Sequence, residues 1–441
     1  MNRGARALGA IVAAVSGFAL AASIVPATAP AAQSAAGAAW ADGVWISRAE
    51  VRRLPQRGSA WQALLARANQ NMGRADLSDQ ESEHDTNVLA IALVYARTGQ
   101  ERYRRKAAAG VMGAIGTERG GRTLALGRGL VAYVVAADLI DLDGLNPAQG
   151  KVFRRWLREV RDERLEPEGR PTLILTHEGE ANNWGTHAGA SRIGTAIYLR
   201  DRADLARAAA VFKGWLGDRD TYHGFTFPKN QSWQEDESEP VGVVAAGAEK
   251  KGQPIGGALP DDMRRGCGIR FPPCPTGYPW EAMQGAVVQA ELLSRQGYSA
   301  WRWQDEGVRR AAAFLVDLDR RYPGDDWGAQ DDDTWIPWLL NARYGMRLRT
   351  QSPARPGKGM GWTDWTHGPG RCRGGACLAS LQEGRAVAPV KSRRRIRSAD
   401  DAGTLPIAGT VGAIGVIAAA IVAIRVRRRT PTRRRPDASR V

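Results

Sequence analysis

The chain has 441 residues and a formal net charge of +16, long enough for one large domain or two ordinary ones. Its charge sits near the ends. The segment after Ile424 carries +7, residues 385–404 carry +4 and the leader arginines carry +2, which leaves +3 for residues 42–384. A nearly neutral body lacks the electrostatic footprint of a nucleic-acid binder, so no nucleic-acid partner is expected.

In chain order, Arg3 and Arg6 precede an apolar run from Leu8 to Ala22, followed by small residues up to Asp42. This reads as a signal peptide and small-residue linker over 1–41, with a core too short to span a membrane. At the other end, residues 405–424 are uncharged and would make about 30 Å of helix, one hydrocarbon thickness. The Arg-rich residues 425–441 behind them read as a cytoplasmic tail. The expectation is an exported protein held in the cell membrane by a single C-terminal span, with its body outside. Leu405-Pro406-Ile407-Ala408-Gly409 also resembles a variant sortase signal, which makes cell-wall attachment the alternative. The four cysteines of an exported chain read as disulfides. Of three possible connectivities, the local one, Cys267–Cys274 with Cys372–Cys377, is the simplest. Neither spacing suits zinc.

Between the leader and Gly345 the pattern is mainly helical. Ser47 and Glu50 fit a capping box. Val88, Leu89, Ile91, Ala92, Val94 and Tyr95 recur at helical spacing and Gly99 stops the run. Further helices are expected near 101–115, 124–140, 147–163, 184–199, 203–216, 280–296, 304–321 and 334–344, with Asn146-Pro147 as an N-cap and first-turn pair. Short polar joints at 98–101, 200–202 and 296–300 fold successive helices back as antiparallel hairpins. Repeated hairpins stack into a curved array, close into an α/α toroid or form a plain bundle. Residues 217–279 are rich in Gly, Pro and aromatics without a helical period, the mark of a long functional loop. Residues 346–404 read as a Gly/Pro/Arg-rich extension and stalk, and 42–345 as the domain.

Three clusters carry side chains suited to chemistry. Asn182-Asn183-Trp184 with His187 opens a helix on which Asn183 and His187 share a face. Asp262-Met263-Arg264-Arg265 and Tyr278-Pro279-Trp280-Glu281 flank the Cys267–Cys274 segment. Ser232-Trp233-Gln234-Glu235-Asp236 lies in the irregular region. A helix cap, a pinned loop and an aromatic anchor would account for the same residues structurally.

The first two clusters, in this order, resemble the alginate lyase family of polysaccharide lyases, the poly(mannuronate) lyase type. The resemblance covers roughly residues 44–345 and includes the helix end Leu93-Val94-Tyr95-Ala96-Arg97-Thr98-Gly99 and the run from Gln289 to Tyr298. It implies an α/α toroid and β-elimination on an anionic, uronate-containing polysaccharide, with neither metal nor cofactor. Carried over by motif, Asn183 matches the family's second Asn, Arg265 its Arg and Tyr278 its Tyr. The family's His is replaced by Trp184, with His187 one turn further on as the nearest substitute, and the Arg-to-Tyr spacing is longer here. The expected catalytic set is therefore Tyr278, His187, Arg265 and Asn183, with Asn182, Trp184, Trp233 and Trp280 binding sugar. The chemistry suits these types. Arg265 and Asn183 would neutralise the uronate carboxylate while charge develops beside it. Tyr278, or His187 in its place, would remove the C5 proton.

Two rivals use the same residues differently. A glycoside hydrolase would draw a carboxylate pair from Glu235, Asp236 and Glu281. A non-catalytic surface protein would only bind glycan. His177-Glu178-Gly179-Glu180 lacks the second His of a zinc-protease motif, His84 reads as a helix cap, and the acidic run at 325–333 lacks a calcium-loop spacing.

Overall fold

The computed structural model describes residues 39–166 and 171–368, all within one compact unit. The signal peptide, the Cys372–Cys377 pair, the expected span at 405–424 and the basic tail lie outside the described residues. Among those described, no helix is long and apolar enough to cross a membrane.

The protein is predominantly helical. The helices run α1 (Arg48–Arg52), α2 (Ser59–Asn69), α3 (His84–Thr98), α4 (Glu101–Gly113), α5 (Thr123–Leu139), α6 (Leu142–Leu145), α7 (Pro147–Val160), α8 (Leu173–Gly179), α9 (Asn183–Leu199) and α10 (Arg202–Trp215). A two-residue antiparallel pair follows, β1 (Glu249–Lys250) with β2 (Gln253–Pro254). The chain then forms α11 (Pro260–Met263), α12 (Tyr278–Arg295), α13 (Trp303–Arg321), α14 (Ile336–Tyr344) and α15 (Thr363–Thr366).

Local chemistry sets these boundaries. Ser47 and Glu50 form a reciprocal capping box at α1, and the Asn146 side chain accepts from the amides of Ala148 and Gln149 ahead of Pro147 in α7. Gly99 closes α3 in the left-handed conformation that a non-glycine residue adopts only with strain. Burial then sorts the helices. The helices α3, α5, α9 and α12 are buried around nearly their whole circumference. By contrast α7 buries Gly150, Phe153, Trp156, Leu157 and Val160, a single stripe at helical spacing. α9 is central and packs most extensively on α5 and α12. Two glycines permit that approach: a Cβ at Gly127 would lie 2.9 Å from the Ala188 amide nitrogen, and one at Gly285 would lie 2.3 Å from the Thr186 carbonyl carbon. Both obstacles are backbone, so a larger residue would push the helices apart.

The structure differs from the sequence expectation in two ways. Helices α2, α6, α8, α11 and α15 are not among those expected, α8 being a short turn capped by Thr172. The body also continues past residue 345. Ala354, Met360, Trp362 and Trp365 are buried, and the two indoles donate to the carbonyls of Thr86 and Pro55. The expected stalk thus begins as a packed strap, because its tryptophans find apolar partners on α2 and α3 that a Gly/Pro-rich composition does not advertise.

Residues 217–279 are irregular, as expected, yet anchored. Val243, Val244, Ile255 and Leu259 are buried. Gln234 closes its loop by accepting from the Val241 amide at 3.0 Å and donating to the Val241 carbonyl at 2.8 Å. Side-chain bonds of this kind satisfy backbone groups that a helix or sheet would otherwise satisfy.

Candidate functional site

The N-termini of α9 and α12 meet the end of the irregular region. Asn182 caps α9, accepting from the Trp184 amide at 3.0 Å and donating to Asp261 at 3.0 Å and Glu180 at 3.1 Å. The Asn183 amide donates to Asp262 at 3.1 Å. The side chain of Asn183 works in two directions: its oxygen accepts from Arg265 at 3.0 Å and its nitrogen donates to Glu281 at 2.8 Å. Glu281 is also ion-paired with Arg128 of α5. The Arg265 guanidinium lies 4.4 Å from the centroid of the Tyr278 ring.

The disulfide Cys267–Cys274, with Cα atoms 5.7 Å apart, closes the segment between Arg265 and Tyr278. Asn183, Arg265 and Tyr278, far apart in sequence, therefore stand in one contact chain. Arg265 is half-buried and Tyr278 is 8 % exposed. Burial pushes the Asp262 carboxyl well up, with Asp261 and Glu281 adding to the rise and Arg265 opposing it. One Asp262 oxygen has no hydrogen-bond partner.

Other expected site residues lie elsewhere. His187 is 1 % exposed, in the layer that α9 shares with α5 and α12. Burial, and then the charges of Arg128 and Lys358, hold its imidazole well below the ordinary range, so it is neutral. A side chain sealed in this way is a poor base for a polymer, which corrects the expectation for His187. Trp233 and Trp280 are each 1 % exposed, with their indoles donating to the carbonyls of Cys267 and Trp327. Neither offers a ring face to a sugar; both are anchors, Trp233 for the disulfide loop and Trp280 for the segment before α14. Trp184 is half-buried, with the Arg122 guanidinium 4.3 Å from its ring centroid. Of the rival carboxylates, Glu235 and Asp236 are exposed, and Asp236 closes a turn onto Ser238.

Sequence reasoning missed two participants. Arg128 lies on an apolar helix with no motif around it, and only its contact with Glu281 reveals it. Asp262 was visible beside Arg264 and Arg265, but nothing local distinguishes a buried acid from a solvated one. Comparison with family models, curated proteins and solved structures finds no match for this chain.

Proposed function

We propose that the protein is a polysaccharide lyase that cleaves an anionic, uronate-containing polysaccharide by β-elimination, on a helical scaffold of the α/α-toroid kind. The observation that carries the reading is the position of Arg265, which bonds the Asn183 amide at 3.0 Å and faces the Tyr278 ring at 4.4 Å. The burial of α3, α5, α9 and α12 around their circumference, with one-faced helices such as α7 outside them, suits a closed double layer of hairpins.

In this mechanism Arg265 holds the uronate carboxylate. Asn183 uses only one of the five guanidinium N–H groups, which leaves donors for a planar anion. With that charge neutralised, Tyr278 removes the C5 proton. The C–H electron pair becomes the C4–C5 double bond, the C4–O4 bond breaks, and O4 takes a proton from the tyrosine. Glu281 and Arg128 fix the orientation of the Asn183 amide. The body would work outside the cell, attached through the apolar segment at 405–424.

The test is to incubate the full chain with a panel of uronate polymers and follow ultraviolet absorbance. A lyase produces an unsaturated uronate that absorbs. New reducing ends without absorbance would replace this reading with hydrolysis, and neither signal would replace it with glycan binding alone.

A further inference from the structure

The strap after residue 345 reaches the candidate site. Residues 357–360 form a tight turn, in which the Gly357 amide donates to the Met360 carbonyl at 2.9 Å. Gly359 is left-handed at φ +81°, and a Cβ there would lie 2.9 Å from the Arg128 carbonyl oxygen. The turn therefore sits directly on α5 at Arg128. It presents Lys358 to Glu81 at 2.6 Å, with Asp332 at 4.0 Å.

Glu81 competes with Glu281 for Arg128. One terminal nitrogen of Arg128 is ion-paired with Glu281, and the other stands 3.9 Å from Glu81. A cation between two carboxylates is drawn towards the one left uncompensated. The side chains of Lys358 and Arg128 are 13 % and 5 % exposed, so water screens their pull on Glu81 only in part. Lys358 is the closer of the two and compensates Glu81. On the other side of Arg128, Glu281 accepts from the Asn183 nitrogen at 2.8 Å, and the Asn183 oxygen accepts from Arg265 at 3.0 Å. Lys358, Glu81, Arg128, Glu281, Asn183 and Arg265 thus stand in one line of contacts. It runs from the strap to the guanidinium assigned to the uronate carboxylate.

We propose that Lys358 is a positioning residue for this site. By neutralising Glu81 it leaves Arg128 to Glu281, and Glu281 then fixes the Asn183 amide that orients Arg265. The inference rests on the lyase reading and adds a part that residues 42–345 do not contain: the site is complete only with the strap in place. Without Lys358, Arg128 turns towards Glu81, Glu281 shifts with it, and the Asn183 amide no longer holds Arg265 in one orientation.

The experiment uses the full chain. Lys358→Met keeps the aliphatic stem and removes the charge; Lys358→Gln serves in its place where Met does not fold. Two quantities are read: formation of unsaturated product from a uronate polymer, and the rate at which the arginine reagent phenylglyoxal modifies Arg265, followed by peptide mapping. In Lys358→Met, kcat/KM should fall by about 10- to 100-fold, the cost of a small misplacement set remotely from the reacting atoms. Arg265 should be modified faster, with an unchanged melting curve. Adding Glu81→Gln removes the competing charge and should reverse both changes, which it would not do for a lysine that merely supports the fold. Three results overturn the proposal: wild-type modification of Arg265 in the folded single variant, an active wild type matched in rate by Lys358→Met, or a double variant that stays defective. Faster modification of Arg265 that Glu81→Gln reverses, in a protein whose wild type yields no unsaturated product, upholds the positioning role and removes the lyase reading instead.

Discussion

Helix α12 carries two carboxylates that meet opposite fates. Near its C-terminal end, Glu291 is sealed. It accepts from the Trp301 indole at 3.2 Å and from Arg343 through both oxygens, with His367 at 3.7 Å. Burial pushes this carboxyl up, but the bonds and charges of His367 and Arg343 win and hold it at about 2. In the first turn, Glu281 is half-buried and engages Asn183 and Arg128 through one oxygen only. Around it stand an open Asp262 oxygen, the unpartnered Nε of Arg128 and the half-buried Arg265. A saturated buried ion pair clamps the strap and α14 onto the core. An unsaturated network leaves buried polar atoms without partners beside the half-buried Arg265, an imbalance of the kind that marks functional sites.

The comparison breaks most sharply at Tyr278. Tyr278→Phe should lower formation of unsaturated product by about 10²–10⁴-fold, the usual worth of a proton-transfer group, with an unchanged melting curve. A rate near wild type would take Tyr278 out of the mechanism.

Arg343→Ala should do the reverse. Leaving Glu291 buried without its guanidinium should cost about 3–5 kcal/mol in urea unfolding, with activity per folded molecule preserved. The acid limb carries the same signature. A carboxyl held at about 2 against an ordinary 4.5 adds stability that is present above pH 4.5 and lost as the pH falls towards 2. Arg343→Ala should flatten that limb.

His187→Ala sharpens the boundary between scaffold and site. Its burial predicts a loss of about 1–3 kcal/mol of stability and an unchanged kcat. A large drop in kcat with stability intact would return His187 to the site.

The smallest effect concerns Asp85, which burial raises to about 7 from 3.8. A raised acid favours the fold while protonated, so its contribution is present below pH 3.8 and lost as the pH rises through 7. Asp85→Asn cannot ionise. It should match the wild type at pH 4 and become more stable by pH 8, by at least the roughly 1.4 kcal/mol that one unit represents. Equal stability at both pH values would mean that Asp85 is solvated.

Much of the fold was legible in the amino-acid sequence because its signals are local. The Ser47–Glu50 box, the Asn146-Pro147 start and the Gly99 stop are set by side chains within four residues of the backbone they cap. The Cys267–Cys274 pairing was legible for the same reason, being a short closure. The packed strap at 346–367 was not, because its tryptophans are recognisable as core only once α2 and α3 are in place.

The candidate site divides along the same line. Sequence by itself determined most of the long helices, several of their ends and the residue types Asn183, Arg265 and Tyr278 around a short cysteine loop. Tertiary structure alone decided that Trp233, Trp280 and His187 are sealed inside, that Arg128 reaches Glu281 from another helix, and that Asp85 is left with an open oxygen. Caps and periodicity depend on neighbours along the chain. Burial and ion pairing depend on which helices pack together, and here that rests on the close approach of α5 and α12 to α9 at Gly127 and Gly285.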